Sequence, residues 1–359
     1  MESLQPDYPW TKAPLIAGAP MRLIALAAMA TEVSRAGGLG FVGGGSDASE
    51  VDAILADVQK RASTIPSLRN VRDVLPVGVG FLIWAGEKLL QDSLPILEKY
   101  RPAAIWLFAP NRSEELVRWM EETRRVTGGR TKVWIQIGTV ADAVEVTRLC
   151  RPDVLVVQGV DAGGHGLMHG SGLIPLLPEV DDAVTAACEK EGMKKPSLIA
   201  AGGILEARTA AASLTLGASG IVLGTRLLAS PEANIKPGYQ NAVLAASDGG
   251  VTTQRGKLYD SLRGTTDWPD RYGGRSVLNL SWYDAQNGVD QRELQRLHDE
   301  ALKKGDAGWG DQGRLTTYAG AGVGLVRDVM GSAEIVEEVR ECAKKILGRM
   351  GGRLQECAF

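Results

Sequence analysis

A chain of 359 residues, 44% hydrophobic and 23% charged, has the makeup of an ordinary globular protein. It is long enough for one large α/β barrel or two medium domains. A formal charge of −3 without any basic cluster removes the electrostatic case for a nucleic-acid partner. The four cysteines, Cys150, Cys188, Cys342 and Cys357, are scattered and form no CxxC pair. Zinc and thioredoxin spacings are therefore excluded, and a reducing compartment is expected.

In chain order, the run "PLIAGAPMRLIALAAMA" has the apolarity of a signal peptide, but Arg22 interrupts it. The "TEVSRAGG" that follows carries a helical pattern on to a glycine stop. No apolar run reaches the roughly 18 residues of a membrane-spanning helix, so the expected location is the cytoplasm, with no membrane partner.

Short apolar runs then alternate with helical patterns. The runs are "PLIAG" (14–18), "LGFVG" (39–43), "PVGVGFLI" (76–83), "AAIWLF" (103–108), "KVWIQI" (132–137), "DVLVVQ" (153–158), "SLIAAGG" (197–203) and "ASGIVLG" (218–224). Most are continuously apolar, as parallel strands covered on both faces must be. Amphipathic stretches such as "ASEVDAILADVQKRA" and "RSEELVRWMEETRRV" separate them. Eight such units predict an α/β protein of the (β/α)8 TIM-barrel type over residues 1–230, with a doubly wound open sheet as the alternative. Residues 231–320 break the pattern with aromatic and polar runs and the helical "VDQRELQRLHDEALKKG". They read as a mainly helical insertion after the eighth strand, covering the substrate. Residues 321–359 hold a helix that returns to the barrel, with Ser332 as its expected N-cap.

Chemistry in such a barrel comes from the C-terminal ends of the strands. The seventh and eighth strands end in "AAGGI" (200–204) and "LGTR" (223–226). Gly202, Gly203, Gly224 and Thr225 would offer backbone N–H groups and one hydroxyl, the usual barrel phosphate site. Either glycine group alone could as well end a strand as bind a phosphate; both in these two loops point to a phosphate. "GLGFVG" (38–43) and "AGAGVG" (319–324) lack the strand–turn–helix order of a dinucleotide site and read as turns.

The sixth strand ends in "QGVDAGGHG", where glycines present one imidazole, His165. A histidine at a barrel strand's C-terminal end can take a proton from a carbon acid or stabilise an anion. His169 lies four residues on, but Gly166 and Gly170 oppose the helix that a shared metal site would need, so no metal is expected. His298, on a charged helix, is expected to be solvated. Asp161 either orients a neighbour or caps a turn. Trp84, Trp268 and Trp282 either wall an apolar pocket or belong to the core.

In this order, "GAPM" (18–21), "QGVDAGGHG", "AAGGI" and "GIVLGTRLLAS" resemble the nitronate monooxygenase family, formerly the 2-nitropropane dioxygenases. The resemblance covers roughly residues 13–230. It implies a non-covalent FMN, with its phosphate at the seventh and eighth loops. The ring would lie near Ala19, Pro20, Met21, Gln136 and Gln158, with Gly163 and Gly164 letting the backbone pass close to it. It also implies that His165 is the catalytic histidine, and that an alkyl nitronate or a nitroalkane is oxidised by O2 to a carbonyl compound and nitrite. The partners implied are a small-molecule substrate and O2, with a homodimer left open. Two departures stand out. The third strand, "VGVGFLIWAG", offers Gly80 where many members carry a cofactor-contacting asparagine. Gly166 follows the histidine where an arginine often stands. Three other readings share the signature or part of it: an NAD(P)H-dependent enoyl-thioester reductase, a flavin oxidase or monooxygenase of a secondary metabolite, and a catalytically silent flavin- or phosphate-binding module.

Overall fold

The computed structural model describes residues 4–356; Cys357 falls outside them. Eight parallel strands close into a barrel: β1 (Leu15–Gly18), β2 (Leu39–Gly45), β3 (Leu75–Leu82), β4 (Pro102–Phe108), β5 (Lys132–Ile137), β6 (Val154–Gln158), β8 (Ser197–Ala201) and β9 (Gly220–Leu223). β9 closes the ring on β1, with Leu15 opposite Gly220 and Gly18 opposite Leu223. The closed ring rules out the open-sheet alternative.

The continuous apolar runs divide into two cores because successive side chains alternate across a strand. On β4, Ala104 and Trp106 point into the barrel while Ile105 and Leu107 meet the helices outside; Val154 and Val156 oppose Leu155 and Val157 on β6 in the same way. Phe41, Trp106 and Trp134 plug the interior, with ring centroids 5.0–6.0 Å apart. The Trp134 indole also donates a 2.7 Å hydrogen bond to the Tyr8 hydroxyl, so the segment before β1 seals the lower end. Replacing fully buried Trp134 with Ala should therefore cost about 3–5 kcal/mol. Chemical denaturation read by far-UV circular dichroism checks this; a midpoint equal to the parent's would mean the plug is dispensable.

The outer ring comprises α1 (Ala27–Arg35), α2 (Val51–Thr64), α3 (Glu87–Tyr100), α4 (Ser113–Thr127), α5 (Val140–Cys150), α6 (Leu173–Glu191) and α7 (Ala207–Thr215). The buried residues of α4 (Leu116, Trp119, Met120, Thr123, Thr127) follow the three-and-four spacing of an amphipathic helix. On α5, the Thr139 hydroxyl caps the start by accepting from the Asp142 N–H at 3.0 Å.

Between β6 and α6 the chain forms a further short strand, β7 (Gly164–Leu167), which is not part of the barrel. The stretch 231–320 follows the four-residue helix α8 (Thr225–Leu228). It holds α9 (Pro237–Ala245), α10 (Gly249–Thr252), α11 (Leu258–Arg263), α12 (Leu280–Gln286) and α13 (Gln291–Lys303). It also holds two strands that the sequence did not suggest, β10 (Thr253–Gly256) and β11 (Tyr272–Val277). β11 pairs antiparallel with both β10 and β7, placing Gly274 opposite His165. The insertion thus adds strands to the segment that bears the histidine.

The last helix, α14 (Ser332–Glu356), packs against α1 and α7. Ser332 is its first residue rather than its N-cap. Its hydroxyl lies 3.0 Å from both Ser230 Oγ and Glu232 Oε2, fastening the helix to the end of the barrel. Cys150, Cys188 and Cys342 are free, and no described helix is long and apolar enough to cross a membrane.

Candidate active site

A cavity of about 970 Å³ opens over the C-terminal ends of the strands. Ala19, Pro20 and Met21 line it from the end of β1, Gln136 from β5 and Gln158 from β6. Gly163, Gly164 and His165 line it from the loop into β7, and Gly202, Gly203, Gly224 and Thr225 from the loops after β8 and β9. All twelve residues expected to serve catalysis or hold the cofactor therefore share one space. Of the three tryptophans, Trp268 lines it. Trp84 packs against Trp268 with centroids 5.5 Å apart, and Trp282 belongs to the Tyr259–Leu262–Leu294 cluster. His169 is exposed and does not line the cavity.

Two residues far away in sequence fix the His165 ring. Its Nε2 lies 2.8 Å from Oδ1 of Asp260 on α11, whose side chain is only 5% exposed. Trp268 stacks on the imidazole at 3.7 Å with an interplanar angle of 3°. The Tyr318 hydroxyl donates to the same Asp260 Oδ1 at 2.8 Å, and Thr265 Oγ1 stands 3.3 Å from it. Burial, then the neighbouring Asp260, push the Tyr318 phenol well above its ordinary range, so it stays a hydrogen-bond donor. Arg263 lies over the Tyr318 ring, 5.4 Å from its centroid.

The backbone leading up to the histidine, and the facing β11, are held by Arg255 of β10. Its guanidinium donates to the carbonyls of Gly164 (2.7 Å), Gly273 (2.6 Å), Ala162 (2.6 Å) and Val160 (3.2 Å). Burial, followed by the neighbouring Arg275, pulls Arg255 down to about 10. Burying a cation is costly, and these four acceptors offset the cost. Arg275 of β11 adds a 3.2 Å bond to Val160 O.

The same packing explains the glycines. A Cβ at Gly166 would stand 2.6 Å from Gln158 Oε1 and 3.1 Å from the Arg255 guanidinium. The position after the histidine must therefore be small, and an arginine from the insertion occupies the adjoining space. A Cβ at Gly163 would meet the Ala319 and Gly320 backbone at 2.5 Å, so the need for glycine there comes from this crossing segment. Gly164 has φ +64°, a conformation that glycine adopts without strain. Gly80 packs on Pro20, whose Cβ would be 2.3 Å from an added Cβ. No larger side chain fits that third-strand position.

His298 departs from expectation. It is 4% exposed, because Leu294, His298 and Ala301 form the inner face of α13. Burial lowers its pKa, favouring the neutral ring. Asp161 sits in a turn beside Gly203, whose added Cβ would lie 3.2 Å from the Asp161 Cβ.

Two features bear on whether a flavin mononucleotide fits. Gln136 Oε1 accepts from the Trp106 indole at 3.0 Å, while its buried Nε2 has no partner among the described residues and is available to a ligand acceptor. Above Gly224 the space is open: an added Cβ would meet only the Ala19 Cβ, at 3.6 Å. The volume lies at the upper end of the roughly 300–1,000 Å³ typical of ligand pockets. The residues present fit the group.

The closed barrel, the cavity at its C-terminal mouth and the carboxylate-paired histidine within it define an enzyme of the (β/α)8 class. The chain belongs to the nitronate monooxygenase family, an oxidoreductase family whose model matches residues 8–341. It is 45% identical over 353 residues to nitronate monooxygenase npaC of Metarhizium robertsii, covering 96% of this chain and 95% of that protein. Identity to the nitronate monooxygenase of Neurospora crassa is 36% over 355 residues, covering 94% and 91%. Two solved structures share the fold. FabK from Thermotoga maritima has a TM-score of 0.73 at 20% identity, covering 98% of this chain and 99% of that one. Nitroalkane oxidase from Streptomyces ansochromogenes has a TM-score of 0.69 at 21% identity, covering 96% and 99%.

Proposed function

We propose that the protein is an FMN-dependent enzyme that oxidises alkyl nitronates with O2 to a carbonyl compound and nitrite, and accepts nitroalkanes when His165 first removes a proton. The observation that carries this reading is the placement of a carboxylate-held imidazole in the same cavity as the glycine loops after β8 and β9. FMN, when bound, supplies the acceptance of the substrate's electrons and the reaction with O2. Gly202, Gly203, Gly224 and Thr225 would hold its phosphate through backbone N–H groups and a hydroxyl. Gln136 and Gln158 would meet the polar edge of the ring, while Ala19, Pro20 and Met21 would pack along it and the Gly163–Gly164 backbone would run beside it.

His165 would then take the carbon-bound proton of a neutral nitroalkane or sit as the counter-charge of a nitronate. Trp268 and Phe108 form an aromatic wall next to it, with Tyr272 packed against both, centroids 5.2–6.4 Å apart. That wall excludes water from the alkyl part of a substrate.

The purified protein should be yellow and should release FMN, not FAD, on heating. Anaerobic addition of propyl-2-nitronate should bleach the flavin absorbance, while NADH and NADPH should do so slowly or not at all. Bound FAD, or a colourless protein indifferent to added FMN, would overturn the cofactor assignment. Rapid bleaching by a nicotinamide with consumption of an enoyl thioester would make the protein a reductase instead.

A further inference from the structure

We propose that Asp260 is the positioning residue that decides which nitrogen of His165 works. Asp260 holds the Nε2 hydrogen, leaving Nδ1 to accept a proton in the cavity. The inference rests on the functional reading above.

An ionised carboxylate can only accept, so a 2.8 Å contact from His165 Nε2 to Asp260 Oδ1 places the hydrogen on that nitrogen. In the neutral ring the lone pair is then on Nδ1, which has no hydrogen-bond partner among the described residues. The acceptor is itself held in place. Oδ1 receives the Tyr318 hydroxyl at 2.8 Å and has Thr265 Oγ1 at 3.3 Å.

The ring cannot turn freely either. The Trp268 indole stacks on it at 3.7 Å, and Tyr318 lies 5.4 Å away, centroid to centroid, at 55°. The strand pairing of His165 with Gly274, and the Arg255 bond to Gly164 O, fix the backbone beneath. A half-turn of the imidazole would remove the Nε2 donor from a buried carboxylate oxygen, and its partner Oδ2 already lacks one among the described residues. One orientation is therefore over-determined.

The chemical consequence is specific. With a neutral nitroalkane, the C–H bond breaks and its proton passes to Nδ1. The electron pair stays on the substrate and spreads into the nitro group, giving the nitronate. The ring becomes an imidazolium whose Nε2–H remains on Asp260. With a preformed nitronate no proton moves, and the choice of tautomer matters much less.

Histidine labelled with 15N in the FMN-loaded enzyme tests the assignment, because the chain has only three histidines and His165→Asn identifies the relevant signals. In the neutral form of the ring, the parent should show His165 with Nε2 protonated and Nδ1 bare. In Asp260→Asn, whose amide can donate as well as accept, this single tautomer should be lost. Turnover of a neutral nitroalkane should fall by about 10²–10⁴-fold, the cost of a wrongly poised base. Turnover of a nitronate, which needs no proton transfer, should fall less than that of the neutral nitroalkane, flavin content should be kept, and Asp260→Glu should recover part of the loss. A parent ring protonated at Nδ1 would overturn the proposal. So would an Asp260→Asn protein that keeps both tautomer and rates, or one that loses flavin and both rates together. If the parent shows the expected tautomer but oxidises neither nitroalkane nor nitronate, the functional reading fails while the role of Asp260 in holding the ring stands.

Discussion

Exchanging His165 for Asn is expected to lower turnover of a neutral nitroalkane by about 10²–10⁴-fold, the usual worth of general acid–base assistance. Asn keeps a small polar side chain on β7, and the strand's pairing with β11 runs through the backbone, so fold and flavin should survive. What disappears is the imidazole that Asp260 and Trp268 hold in place. A preformed nitronate has already lost its carbon-bound proton and should keep more of its rate. Steady-state rates with the two forms of one substrate separate the roles. A loss confined to the neutral form means a base, and an equal loss on both means that the ring stabilises the anion. If both rates stay within about twofold of the parent, far below the range for proton transfer, the histidine is structural.

The second large effect is expected at Gly224. Its φ of −117° lies outside the left-handed region, and an added Cβ meets only the Ala19 Cβ at 3.6 Å. Gly224→Leu should therefore fold, with the isobutyl group filling the space over the start of α8. If a phosphate belongs there, the side chain blocks its approach to the backbone N–H groups. Losing two charge-assisted hydrogen bonds should weaken FMN binding by at least about 100-fold. Fluorescence titration of the apoprotein with FMN measures this, and circular dichroism confirms the fold. A folded Gly224→Leu protein with parental affinity would place the phosphate elsewhere.

The barrel was legible because its strands are covered on both faces, which turns each into an unbroken apolar run such as "DVLVVQ". Strand ends then follow from barrel geometry, and the cavity lining with them. β7 was invisible for the opposite reason. "GHGL" has two glycines and no apolar alternation, and it is a strand only because β11 pairs with it. Asp260 and Tyr318 carry no local signal at all. Asp260 meets His165 across 95 residues of sequence and Tyr318 reaches Asp260 across another 58, and no periodicity encodes such contacts. His298 misled because the polar residues of α13 outnumber its buried face of Leu294, His298 and Ala301. Ser332 resembled a cap by residue type, but its hydroxyl faces Ser230 and Glu232 across the fold.

Arg255 has a consequence for how such an enzyme can diversify. The insertion would be expected to behave as an interchangeable lid, free to vary so that one catalytic barrel can take many substrates. Here the same stretch supplies the guanidinium that grips four carbonyls around the histidine loop, along with Asp260, Trp268 and Tyr318 at the imidazole itself. Transplanting a foreign segment would remove every one of these contacts to the His165 loop at once. Point changes on the cavity wall leave those contacts in place, whereas exchanging the insertion as a cassette does not.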